Sequence, residues 1–235
     1  MTYGTPDAVL ASWSCGKDSA FALEVALQQG VNVVGLLCTV NADADRVAMH
    51  AVRRELLEAQ ADRLGLPTRT VDIPQDCSHE QYAALMALAL DRASVDGVTG
   101  MIFGDLFLED VRQYRIDMLR GTGIAPIFPL WGRETSQLAR EMIAGGVKAL
   151  ITCVDPRKLD AGFVGRQFDL ELLADLPEGA DPCGEKGEFH TFVYETPSFR
   201  SPLAVEKGIV VERGGFVFAD VVPTEGRATA RTDRR

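Results

Sequence analysis

The chain has 235 residues, 46% hydrophobic and 25% charged, a composition that suits a soluble globular protein with one large α/β domain and room for a smaller companion. Its formal net charge of −10 argues against an extended nucleic-acid surface and leaves space only for a local basic pocket. Cys15, Cys38, Cys77, Cys153 and Cys183 form no C-x-x-C pair and His50, His79 and His190 are scattered, so spacing gives neither a disulfide framework nor a metal cluster.

Residues 9–13 read as a short apolar strand. The polar stretch 14–19 follows at once and opens an apolar helix, which Gly30 stops. A buried strand is expected at 33–40, and a helix at 46–65 with Leu56, Leu57, Ala61 and Leu64 on one side. A strand at 68–73, a helix at 78–93 capped by Ser78 and a strand at 101–104 continue the alternation. Strands separated by helices imply βαβ units and a mostly parallel sheet. After residue 124 the texture changes, with Pro126, Pro129 and Trp131 in a stiff segment. A helix at 135–144, a strand at 149–154 and a helix around 163–174 lead to a polar stretch, 176–188. Two β-like runs, 208–212 and 215–222, precede a polar tail, 224–235, that reads as disordered. These features divide the chain into 1–125, a nucleotide-binding domain, and 126–223, an acceptor-binding domain. The chain opens without a basic segment and apolar run, and no apolar stretch approaches the roughly 18 residues of a membrane span, so a cytoplasmic protein is expected.

The chemistry concentrates in Ser14, Cys15, Gly16, Lys17, Asp18 and Ser19. Backbone N–H groups at a helix N-terminus, with the helix dipole, suit a phosphate. Gly16 permits close backbone approach, Ser14 and Ser19 add hydroxyls and Lys17 a positive charge. The common P-loop is excluded, because Ala11 stands where its first glycine belongs and Asp18 where Ser or Thr should follow the lysine.

The segment resembles the S-G-G-x-D-S loop of the N-type ATP pyrophosphatases, the PP-loop enzymes, with Cys15 in place of a glycine. Two further segments narrow the resemblance. One is Gly104-Asp105, continuing through Arg112 to Pro129-Leu130-Trp131-Gly132-Arg133; the other is Gly184-Glu185-Lys186-Gly187-Glu188-Phe189-His190-Thr191. Together they resemble the diphthine–ammonia ligase family over most of the chain, with Lys186, Phe189 and His190 departing from the family's G-E-G-G-E-Y-E-T. The resemblance implies a Rossmann-like parallel sheet with flanking helices plus a smaller α+β domain. It also implies binding of ATP with Mg²⁺, release of pyrophosphate, adenylation of a carboxylate and its amidation by ammonia. The acceptor carries a carboxylate and belongs to a protein in the family; in this chain its identity is open, as is a homo-oligomeric state.

The candidate residues follow from position and resemblance together. Asp105 sits at the carboxyl end of a predicted strand, where open parallel sheets bind ligands, and is a candidate for Mg²⁺ or ribose. Lys17 and Asp18 are the candidates for chemistry at the phosphates. Glu185, Glu188 and His190 are candidates for a base beside the acyl-adenylate, with Thr191 matching the family pattern. His50 with Arg53 and Arg54 is expected on one helix face, as a substrate contact or a solvated basic face. Arg112 and Trp131 are candidate substrate contacts, Trp131 being equally a core anchor. Cys183 is expected to be inert. A tRNA-modifying thiolase and a non-catalytic nucleotide sensor remain as alternatives.

Overall fold

The computed structural model describes residues 7–224; part of the expected tail, 225–235, lies outside them. Two sheets organise the chain. The first is built from β1 (Val9–Ser12), β2 (Val33–Asn41), β4 (Thr68–Ile73), β5 (Gly100–Ile102) and β6 (Ala125–Ile127), all paired in parallel in the order β4-β2-β1-β5-β6. The two-residue β3 (Arg46–Val47) pairs antiparallel with the end of β2. Helices α1 (Lys17–Gln28), α2 (Arg54–Leu64), α3 (His79–Val95) and α4 (Glu109–Leu119) make the crossovers. The second sheet is antiparallel, ordered β8-β7-β10-β9 from β7 (Lys148–Val154), β8 (Phe189–Glu195), β9 (Val205–Arg213) and β10 (Phe216–Pro223), with α5 (Thr135–Ala144) and α6 (Leu170–Asp175) beside it. The chain thus has the α/β architecture expected, a mostly parallel sheet with flanking helices plus a smaller sheet. Among the described residues no helix is long and apolar enough to cross a membrane.

The order of the parallel strands fixes where a ligand can sit. The chain runs from β1 outward through β2 to β4, then returns to β5 on the other side of β1. That reversal opens a crevice at the carboxyl ends of β1 and β5. Both sheet faces are covered, so β1 is apolar on both: Val9 and Ala11 join one core cluster, Leu10 the other. The first cluster also contains Ile151, Phe192 and Val193, so the two sheets share a continuous core. The edge strand β8 reaches the turn after β1, where the Val193 N–H donates to the Cys15 carbonyl at 2.9 Å.

Two local expectations need correction. The helix read at 46–65 begins only at Arg54, because Asp45, Met49 and Ala51 take left-handed φ angles of 51°, 63° and 55° and Val47 pairs with Val40. His50, Arg53 and Arg54 therefore do not share a helix face. The helix around 163–174 is a 3-10 turn at Ala161–Phe163 followed by the short α6. Strand β8 begins at Phe189, directly after the polar stretch 176–188, where the sequence reading expects no strand. Helix α4 escaped the periodicity reading, since Leu119 alone of its residues is fully buried.

Candidate functional site

The phosphate loop is the turn from β1 into α1, and nearly every polar atom in it is engaged. Ser14 Oγ and Ser19 Oγ lie 3.1 Å apart, Ser19 Oγ donates to the Gly16 carbonyl at 3.0 Å, and the Gly16 N–H donates to Ser14 Oγ at 3.3 Å. Cys15 has φ 66°, a left-handed angle that suits glycine and costs another residue about 1–3 kcal/mol. This explains the glycine of the resembled loop at that position. The surroundings hold Cys15 there: its carbonyl accepts from Val193 N–H and from Gln60 Nε2, the latter at 3.2 Å. Gln60 is fully buried; its Oε1 accepts from Trp13 Nε1 at 2.8 Å and its Nε2 also donates to the Val193 carbonyl at 2.6 Å. Two glycines are required by close approach. A Cβ on Gly16 would lie 2.5 Å from His50 Cε1, and one on Gly104 would lie 2.8 Å from the Asp18 carbonyl carbon.

Lys17 and Asp18 point different ways. Lys17 is 2% exposed, with its ammonium 5.5 and 5.4 Å from the Phe168 and Phe189 ring centres. The ammonium donates to the Cys183 carbonyl and to both Asp18 oxygens, at 2.9 and 2.8 Å. Burial is the largest single influence and lowers its pKa, but Asp18, with Cys183 and Glu185 nearby, raises it overall. Asp18 lines a cavity of about 500 Å³ at the crevice between β1 and β5, together with Ser14, Ser19, Gly104, Asp105, His50, Glu185 and His190. Lys17 is absent from that lining. Burial, and then the nearby Asp18 charge, raise the pKa of Glu185 to about 7, although its Oε1 accepts the Leu106 N–H at 2.9 Å. Burial likewise raises Asp105, whose Oδ2 is 3.5 Å from Arg115 Nε and makes no hydrogen bond.

The two imidazoles are held neutral. His50 Nδ1 is 2.8 Å from the Thr191 carbonyl, an acceptor only, so Nδ1 carries the proton and Nε2 the lone pair. The His190 ring centre is 4.8 Å away. Burial lowers the pKa of His50, and burial with the neighbouring His50 and Lys17 brings His190 down to about 3. Thr191 is buried, its Oγ1 accepting the Lys17 N–H at 3.0 Å, so it braces the loop and does not line the cavity.

The acidic loop divides its two glutamates. Glu188 is 3% exposed, its Oε1 accepts the Asp181 N–H at 3.0 Å, and it lines neither cavity described here. Arg112 and Trp131 also lie off these cavities, the guanidinium 4.8 Å over the indole. Arg53 and Arg54 are occupied by Asp220 and by Asp45 and Asp72. The sequence reading missed Arg115, Tyr82 and Gln60. Arg115 follows Arg112 by one turn of α4, a signal that only a recognised helix would have revealed. Gln60 lies among the apolar positions of α2, and a polar residue there was the available sign. A second, wider cavity of about 780 Å³ shares Met49, Tyr82, Arg115 and His190 with the first and extends to Phe216 and Phe218 of β10.

Comparison with known proteins adds sequence kinship to this geometry. Residues 7–125 match the family model of the diphthamide synthase N-terminal domain, and residues 134–217 that of the C-terminal domain. A human diphthine–ammonia ligase is 26% identical over 236 residues, covering 91% of this chain and 88% of the relative. A Danio rerio protein of the same name is 27% identical over 252 residues, covering 93% and 97%. In a Schizosaccharomyces pombe diphthine–ammonia ligase, 23% identical, the match covers 87% of this chain but 37% of that protein.

Proposed function

The chain belongs to the diphthamide synthase family, and we propose that its residues divide the work of an ATP-dependent amide-forming ligase between the phosphate loop and the acidic loop. The observation that carries this reading is one cavity where the phosphate loop, three carboxylates and two neutral imidazoles meet at the sheet's topological switch point. The loop from Ser14 to Ser19 receives the β,γ-pyrophosphate of ATP. The acceptor carboxylate attacks the α-phosphorus and pyrophosphate leaves. Ammonia then attacks the acyl-adenylate carbon, the C–N bond forms, the C–O bond to AMP breaks, and a proton is lost from nitrogen. Glu185 takes that proton, its pKa near 7 suiting a general base at neutral pH. Lys17 acts from within: it fixes Asp18 and ties the phosphate loop to Cys183 and hence to the acidic loop.

Magnesium fits the same cavity. Asp18 and Asp105 face it, and the buried Oδ2 of Asp105 lacks a hydrogen-bond partner. These two carboxylates would hold the ion, which supplies neutralisation of phosphate charge. Residues 1–125 serve the nucleotide, and 126–223 bring the acidic loop and the acceptor side. The relatives are named for diphthine and ammonia; ammonia carries over to this chain, while Lys186, Phe189 and His190 distinguish its acceptor side. A thiolase reading is disfavoured, since burial pushes both Cys153 and Cys183 up to about 12, far from a reactive thiolate. The five free thiols accord with a cytoplasmic protein. Phosphorus NMR of the products of ATP turnover is the test: AMP with pyrophosphate is the expected result, and ADP as the main product would refute the reaction class.

A further inference from the structure

The wider cavity holds chemistry that the ligation steps leave unused. At about 780 Å³ it lies in the range of pockets that enclose drug-sized organic molecules. Tyr82, Tyr114, Phe216 and Phe218 give it aromatic walls. Two of its arginines are answered by carboxylates, Arg46 by Asp220 at 2.9 Å and Arg115 by Asp105 at 3.5 Å. Arg213 is different. Its guanidinium lies 5.8 Å over the Phe218 ring, and no carboxylate pairs with it among the described residues. Asp110 lines the same cavity, while Arg213, exposed and beside the Phe218 ring, is placed to meet a planar anion.

We propose that the acceptor is a small organic acid with a planar apolar body and a second anionic group. The body lies against Phe216, Phe218 and Tyr114, and the second anion meets Arg213. The reacting carboxylate enters the nucleotide cavity past His190 and Arg115, which line both spaces. This acceptor rests on the ligase reading above, so the test separates binding from turnover. Naphthalene-2,6-dicarboxylate and 2-naphthoate are titrated calorimetrically into the intact chain with ATP bound. Arg213→Gln, at an exposed position, is expected to weaken the dicarboxylate about tenfold and leave 2-naphthoate unchanged. Phe218→Ala weakens both probes, and neither variant alters ATP affinity. Equal binding of the dicarboxylate to wild type and Arg213→Gln overturns the proposal, as does AMP release that requires a polypeptide acceptor. Arg213-sensitive binding with no AMP formed from any carboxylate or polypeptide overturns instead the ligase reading beneath it.

Discussion

The phosphate loop and the acidic loop that faces it are built by opposite means. In the phosphate loop, serine hydroxyls answer one another, the Cys15 carbonyl has two donors and the Lys17 N–H reaches Thr191. In the acidic loop, the Glu185 carboxylate is half-buried and accepts one backbone N–H, and Glu188 keeps an oxygen with no partner. The first loop is a satisfied, preformed cradle; the second stores unfavourable electrostatics. Charge kept out of water near other negative charge has a strongly shifted pKa, and such shifts mark sites of proton chemistry. The contrast suggests that one loop binds and the other reacts.

The strongest way to break this contrast is Lys17→Ala. It removes a buried cation from Asp18, the Cys183 carbonyl and two aromatic rings. A loss of about 3–5 kcal/mol in denaturant-measured stability is expected. Unchanged stability with reduced ATP affinity would place the lysine at the phosphates and not between the loops. Glu185→Gln is the next test. It should lower turnover by about a hundredfold or more while ATP affinity, read by calorimetry, holds. Glu188→Gln, only three positions away, should leave turnover nearly intact; equal losses in the two variants would dissolve the division between them.

Two pH experiments sharpen the comparison with smaller effects. If Glu185 acts ionised, kcat/KM rises as pH passes through about 7, and the rise vanishes in Glu185→Gln. His190 acts on stability. Unfolded, its imidazole takes a proton below about 6.5; folded, only near 3. Folding is therefore weakened as pH falls from about 6.5 towards 3, and His190→Gln should flatten that part of the stability curve. A slope unchanged by the substitution would mean that the imidazole is not held neutral in the fold.

Much of this was legible in the residues. The apolar run before Ser14, the glycine in the loop and the alternation of strands with helices placed a strand-to-helix turn at the edge of a parallel sheet. What the residues could not convey was direction. Glu185 and Glu188 share a loop and a chemistry, and the turns at Gly184 and Gly187, with φ of 70° and 81°, send one toward the smaller cavity and the other inward. Nor could they show that Phe168, just before α6, and Phe189 of β8 pack onto the Lys17 ammonium from the far end of the chain. Long-range contact decides those placements. Helix α4 was missed for a local reason: its charged surface carries little apolar periodicity, and Arg115 went with it.

The hydrogen bond from Trp13 to Gln60 has an optical consequence. Trp13 directly follows β1 at the start of the loop, lines the smaller cavity and is 2% exposed. Its only indole companion in the chain is Trp131. A Trp131→Phe variant would therefore emit from a single fluorophore whose N–H is tethered to the amide that also holds the Cys15 carbonyl. The protein carries its own lamp beneath this cavity, and on the proposed reading ATP addition should change its emission without a label.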